Sequence, residues 1–197
     1  MAYAIVRSKD VPGEPRKVAK GAVLLCDTSS SMGAVDTWTG KRRIDHLAEV
    51  LAYVLSKTRV QLLASFNSTV REHKLTTSVS LEDPQGGTDL RLALNWLEHF
   101  AVREAPEQLL ILSDGGPNDP AAAITALRAF LAAWGAAMPV HCYFCGDDND
   151  KEAKAFLARL AALGGPGSSM GSFNLATPKR LASDLVLRIT HERGARS

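Results

Sequence analysis

The stretch AVLLCDTSSSMG, residues 22–33, decides how the rest of the chain is read. Its first half, Ala22 to Cys26, is apolar without alternation, the pattern of a strand buried on both faces. Its second half is a polar turn carrying Asp27, Ser29 and Ser31 at alternate positions. Such a strand, running straight into a carboxylate and two hydroxyls, puts oxygen donors at a strand's carboxyl end. Open α/β sheets bind their ligands there, where the strand order reverses.

Strand and helix patterns alternate downstream. Ile44, Leu47, Ala48, Leu51, Val54 and Leu55 recur at helical spacing and share one face. Val60 to Phe66 reads as a second strand and Thr69 to Leu75 as a more polar third. The short Asn67-Ser68 turn between them predicts an antiparallel hairpin at the sheet edge. After the loop from Asp83 to Gly87, Thr88 and Asp89 can cap a helix that places Leu90, Ala93, Leu94 and Leu97 together. Gln108 to Leu112 is another doubly buried strand, ending in Ser113-Asp114-Gly115. A helix over Pro120 to Trp134, a strand over Val140 to Cys145 and a helix over Lys151 to Leu163 follow. A Gly/Ser loop over Gly164 to Gly171, a short strand over Ser172 to Leu175 and a helix over Pro178 to His191 close the chain. The alternation predicts an α/β fold with an open, mostly parallel sheet flanked by helices. Residues 1–20 read as a basic extended segment, 21–192 as the domain and 193–197 as a tail.

Composition fits this. Hydrophobic residues make up 46% of the 197 and charged residues 22%, ordinary values for a globular domain. The net charge of +2 is too small to make nucleic acid or a membrane the default partner. The first ten residues carry Arg7, Lys9 and Asp10 where a signal peptide needs an apolar run, and no stretch is long and apolar enough to span a bilayer. The expected location is cytoplasmic, with Cys26, Cys142 and Cys145 as reduced core thiols.

Three polar turns carry the chemistry: Asp27-x-Ser29-x-Ser31, the Thr88 loop and Asp114. Two carboxylates and three hydroxyls offer only oxygen, which suits Mg²⁺ or Mn²⁺, with Ca²⁺ as an alternative. Two aspartates just balance a divalent ion. If the hydroxyls bind directly and the carboxylates mostly hold waters, the ion keeps its appetite for an outside acid. Taken singly, each turn is a common helix cap or Asp-Gly turn. Five oxygen residues on three convergent loops favour the metal site.

These residues resemble the metal-ion-dependent adhesion site of von Willebrand factor A domains. Asp27-Thr-Ser-Ser-Ser31, Gly87-Thr88 and Ser113-Asp114-Gly115 match its three parts, in order and each after the right element. The resemblance implies a Rossmann-like sheet of six strands in the order 3-2-1-4-5-6, with strand 3 antiparallel. It implies direct metal binding by Ser29, Ser31 and Thr88, and contact largely through water from Asp27 and Asp114, Asp114 moving onto the metal in a different state. It also implies a non-enzymatic module whose ion takes an Asp or Glu from a partner protein. Small cytoplasmic bacterial relatives of this kind work with ring-forming AAA+ ATPases or stress-response systems. Ser30 stands where relatives often have Gly. Asp89 adds a charge beside Thr88, either weakening the grip on an acidic ligand or capping the helix.

The competing reading is a Mg²⁺-dependent phosphatase or hydrolase. Haloacid-dehalogenase-like enzymes end a first strand on a nucleophilic Asp but need a second Asp two residues on, where this chain has Ser29. No Gly-x-x-x-x-Gly-Lys phosphate loop is present. Cys142 and Cys145 should face opposite sides of their strand, so they are core residues, and His141 a satisfied histidine. Asp147 to Asp150 lacks the Gly and Glu of an EF-hand loop and reads as an acidic helix start. Trp38, just beyond the first turn, either rims the site or packs over the first helix.

Overall fold

A computed structural model describes residues 21–36, 39–101, 105–134, 138–164, 172–175 and 180–194 of the chain. The basic lead-in, Trp38 and most of the Gly/Ser loop lie outside the described residues.

Six strands form one sheet: β1 (Ala22–Asp27), β2 (Val60–Phe66), β3 (Val70–His73), β4 (Gln108–Ser113), β5 (Val140–Phe144) and β6 (Ser172–Leu175). Their order is β3-β2-β1-β4-β5-β6, with β3 antiparallel to β2 and the other pairs parallel, as the resemblance implies. Every residue of β1, β2, β4 and β5 is buried, which explains why these segments read as apolar runs without alternation. β3, at the edge, is half-exposed and correspondingly polar.

Helices α1 (Arg43–Lys57) and α5 (Leu181–Gly194) cover one face, packing Ile44, Leu47, Leu51, Val54, Leu181, Leu185 and Ile189 onto Leu24, Leu63, Leu110 and Tyr143. Helices α2 (Leu90–Trp96), α3 (Pro120–Ala133) and α4 (Lys151–Ala161) cover the other, over Val23, Leu25, Leu62, Ile111 and Val140. Adjacent residues such as Leu24 and Leu25 enter opposite layers, as side chains on a strand must. α2 ends in a π turn, Leu97–Ala101, which still buries Leu97.

Cys142 belongs to one layer and Cys145 packs against the other; both are free thiols, as is Cys26. His141 Nδ1 meets Ser172 Oγ at 2.9 Å, a satisfied core histidine. Asp89, Asp119 and Asp150 cap α2, α3 and α4 by accepting from backbone N–H groups three residues on. Among the described residues no helix is long and apolar enough to cross a membrane.

The chain moves from β1 to β2 and β3 on one side, then crosses to β4 on the other. The order therefore reverses between β1 and β4, and the crevice above their carboxyl ends is where Asp27 and Ser113 stop.

Candidate metal centre

The first turn is tied down by its own backbone. Thr28 N–H donates to Phe66 O at 2.8 Å, and the Thr28 hydroxyl donates to the same oxygen at 3.2 Å. The chain then curls into a short 3-10 helix, Ser30–Gly33, with Ser29 at its N-cap position. This curl swings the alternate oxygens inward. Asp27 Oδ1 accepts from Ser29 N–H at 2.8 Å and Oδ2 from Ser113 Oγ at 2.6 Å, so β1 and β4 are joined through one carboxylate. Ser29 Oγ lies 3.1 Å from Ser31 Oγ, and Ser31 Oγ donates to Asp114 Oδ1 at 2.7 Å. Four of the five expected residues, Asp27, Ser29, Ser31 and Asp114, thus form one continuous cluster.

Thr88 joins through its loop. Ser30 N–H and Ser30 Oγ both donate to Gly86 O, at 3.1 and 2.9 Å, and Gln85 N–H donates to Thr28 O at 3.1 Å. Gly86 sits at φ +69°, a left-handed conformation that favours glycine and lets the chain reverse here. Thr88 is buried, and its carbonyl accepts from Asn118 N–H at 2.9 Å, fastening it to the loop after Asp114. Ser30 thereby supplies a hydroxyl clamp between the first and second turns. Asp89 spends its charge locally: one oxygen caps α2 and the other pairs with Arg91 at 3.2 Å.

Asp27, Ser29, Thr88 and Asp114 are all buried, and the cluster is strongly shaped by electrostatics. Burial pushes the Asp27 carboxyl up to about 6 from 3.8, against the hydrogen bonds from Ser113 and Ser29 that favour its ionised form; the charge of Asp114 adds to the rise. Burial, reinforced by Asp114 and Asp27, likewise pushes the Cys145 thiol up. A buried carboxylate held by neutral donors, surrounded by hydroxyls and facing a second carboxylate, suits a hard cation. Among the described residues no three His, Cys, Asp or Glu side chains cluster as a metal-binding group, so a centre here draws its remaining donors from hydroxyls.

Three further contributors lie outside the five expected ligands, and only Ser113 among them belongs to a quoted motif. Ser113 holds Asp27. Gly146 lets the loop after β5 pass directly over the Asp114 backbone, where a Cβ would collide with the Asp114 carbonyl oxygen and the Phe144 ring. Arg43, in the first turn of α1, donates from Nη1 to Asp114 Oδ2 at 2.7 Å. Its sequence signal was a basic residue at a helix N-terminus, where the macrodipole disfavours it.

A second polar cluster lies at the sheet edge. Ser65 Oγ donates to Glu82 Oε2 at 2.7 Å and lies 2.8 Å from His73 Nε2, while Arg71 donates to Glu82 Oε1 at 3.0 Å. Ser65 is 1% exposed and gives its proton to the carboxylate rather than to the histidine, so this is an anchor for the loop leading to Gly86 and not an activated nucleophile.

No family model and no curated protein matches the sequence. Solved structures do. A von Willebrand factor type A protein from Catenulispora acidiphila aligns over 89% of this chain and 43% of its own, at 15% identity and TM-score 0.63. The manganese-loaded TRAP protein of Plasmodium vivax aligns over 88% of this chain and 73% of its own, at 17% identity and TM-score 0.57. Proximal thread matrix protein 1 from the mussel byssus, with a zinc-occupied MIDAS motif, aligns over 87% and 46%, at 14% identity and TM-score 0.57. The chain spans less than half the length of the first and third. It has the von Willebrand factor A fold.

Proposed function

We propose that the protein is a divalent-metal-dependent protein-binding module. Ser29, Ser31 and Thr88 hold Mg²⁺ or Mn²⁺ directly, Asp27 and Asp114 act through water, and an Asp or Glu of a partner protein takes the open position. The ion's contribution is a Lewis-acidic seat for that carboxylate. The observation that carries this reading is the continuous oxygen cluster from Ser113 through Asp27, Ser29 and Ser31 to Asp114 at the switch point of the sheet. Two solved structures of similar fold are described as loaded with manganese and with zinc, which supports a divalent cation here.

The module reading is preferred to a hydrolase. Position 29 offers a hydroxyl where an acid-base carboxylate would be needed. Ser65 is buried, His73 is partly buried, and the Ser65 proton is committed to Glu82. The partner class fitted by this reading is an acidic segment on a larger assembly, such as a ring-forming AAA+ ATPase.

The test is isothermal titration with Mn²⁺ and Mg²⁺, followed by affinity capture on immobilised protein in Mg²⁺ and in EDTA. Saturable binding to one site, weakened at least about tenfold in Ser29→Ala and Ser31→Ala, is expected, with partner capture only in Mg²⁺. Absence of metal binding, or capture indifferent to EDTA, would sink the reading.

A further inference from the structure

Asp27 and Asp114 have the same chemistry but unequal surroundings. Both Asp27 oxygens are held by neutral donors, the Ser29 N–H and the Ser113 hydroxyl. Asp114 gives one oxygen to the Ser31 hydroxyl and the other to the Arg43 guanidinium. The Arg43 side chain is 17% exposed and that of Asp114 is 0% exposed, so this ion pair lies largely out of water. Arg43 Nε is also buried without a hydrogen-bond partner among the described residues. A guanidinium desolvated on these terms, at a helix end that repels it, is destabilising as packing alone. Its placement makes sense through what it does to Asp114.

With Arg43 included, the centre carries one net negative charge rather than two. A dication entering it leaves a net positive centre beside a largely buried ion pair, where charge acts strongly. The same ion pair holds Asp114 Oδ2 while Oδ1 stays on the Ser31 hydroxyl, so the carboxylate is tethered through both oxygens.

We propose that Arg43 is a specificity-determining residue of this centre: by holding Asp114 off the ion and leaving the occupied site positively charged, it makes the metal bind loosely alone and favours an anionic carboxylate over a neutral oxygen ligand. The inference rests on the metal-centre reading above and adds to it a residue that touches neither metal nor ligand.

The experiment is Mn²⁺ titration calorimetry on the full chain, comparing the wild type with Arg43→Met and Arg43→Lys, each checked for folding by circular dichroism. Groups that act through a metal's ligands typically change its affinity by about 10–100-fold. Here the sign is inverted, because the group removed is a cation: Arg43→Met binds Mn²⁺ about tenfold tighter or better, while Arg43→Lys, which keeps the charge, stays near the wild type. Acetate and acetamide serve as charged and neutral probes. Acetate tightens Mn²⁺ binding to the wild type more than acetamide does, and Arg43→Met narrows that difference. Should Arg43→Met not fold, Arg43→Gln carries the same expectation. Unchanged or weaker Mn²⁺ binding in the neutral variant overturns the role of Arg43 and leaves the metal centre standing. No Mn²⁺ binding in any of the proteins, wild type included, removes both.

Discussion

Asp27→Asn should stabilise the metal-free protein at neutral pH while abolishing its response to metal. The folded protein raises this carboxyl from 3.8 to about 6, chiefly by burial, so about 3 kcal/mol opposes its ionisation in the folded state. The sign follows from proton binding. Between pH 3.8 and about 6 the folded state holds the proton that the unfolded chain has lost, so stability from this group is fully present below 3.8 and disappears as pH rises through about 6. At pH 7 the deficit is complete. Asparagine removes the charge, offers its amide oxygen to the Ser29 N–H and lets the Ser113 hydroxyl accept from its amide. Allowing for the loss of charge-assisted bonds, the metal-free variant should gain about 1–3 kcal/mol. At about 2–4 °C per kcal/mol for a chain of this size, its Tm in EDTA should rise by at least about 2 °C. Wild type in Mg²⁺ at a hundred times its Kd should recover about 2.7 kcal/mol that the variant cannot. Thermal unfolding from pH 4 to 8, in EDTA and in Mg²⁺, measures both. A variant less stable than wild type in EDTA at pH 7, or one that keeps the wild-type slope between pH 4 and 6, would refute the electrostatic account of Asp27.

Ser31→Ala removes the hydroxyl bridging Ser29 and Asp114. Chemical denaturation should show a loss of only about 1 kcal/mol, and calorimetry at least a tenfold weaker Mn²⁺ affinity. Gly146→Ala forces the loop off the Asp114 backbone and should cost about 1–3 kcal/mol in urea unfolding. Asp89→Ala deletes the α2 cap and should cost about 1 kcal/mol while leaving Mn²⁺ affinity unchanged, since that charge is already paired with Arg91.

The fold was legible because burial writes itself into the strands. β1, β2, β4 and β5 are apolar at every or nearly every position since both faces are covered, and their polar stops mark the sheet's carboxyl edge. Helix faces read almost as well. In α1 the buried set contains Val50, whereas Ala48 and Leu55, which spacing places on the same face, are partly buried. The turn residues Asp27, Ser29, Ser31 and Asp114 were legible because they follow strands that fix their direction. The role of Arg43 was not, and Ser113, though part of the quoted motif, showed nothing of its bond to Asp27. Ser113 ends a strand where a hydroxyl is unremarkable until its partner is known. Arg43 reaches Asp114 across 71 residues of sequence, and no local pattern encodes such a contact.

The inequality of the two aspartates bears on how a dication would be held. Asp114 is already paired with Arg43, whereas Asp27 has only dipoles beside its charge, and burial makes it resist ionisation despite them. Most of the electrostatic pull on an incoming cation therefore belongs to Asp27, at the centre of the sheet, where β1 is pinned between β2 and β4 and can shift least. Asp114 sits beside α1 through Arg43, and any movement of that helix's first turn changes what its carboxylate can reach. One carboxylate attracts the ion from a fixed position; the other sets, through an ion pair, how much charge remains for the ligand.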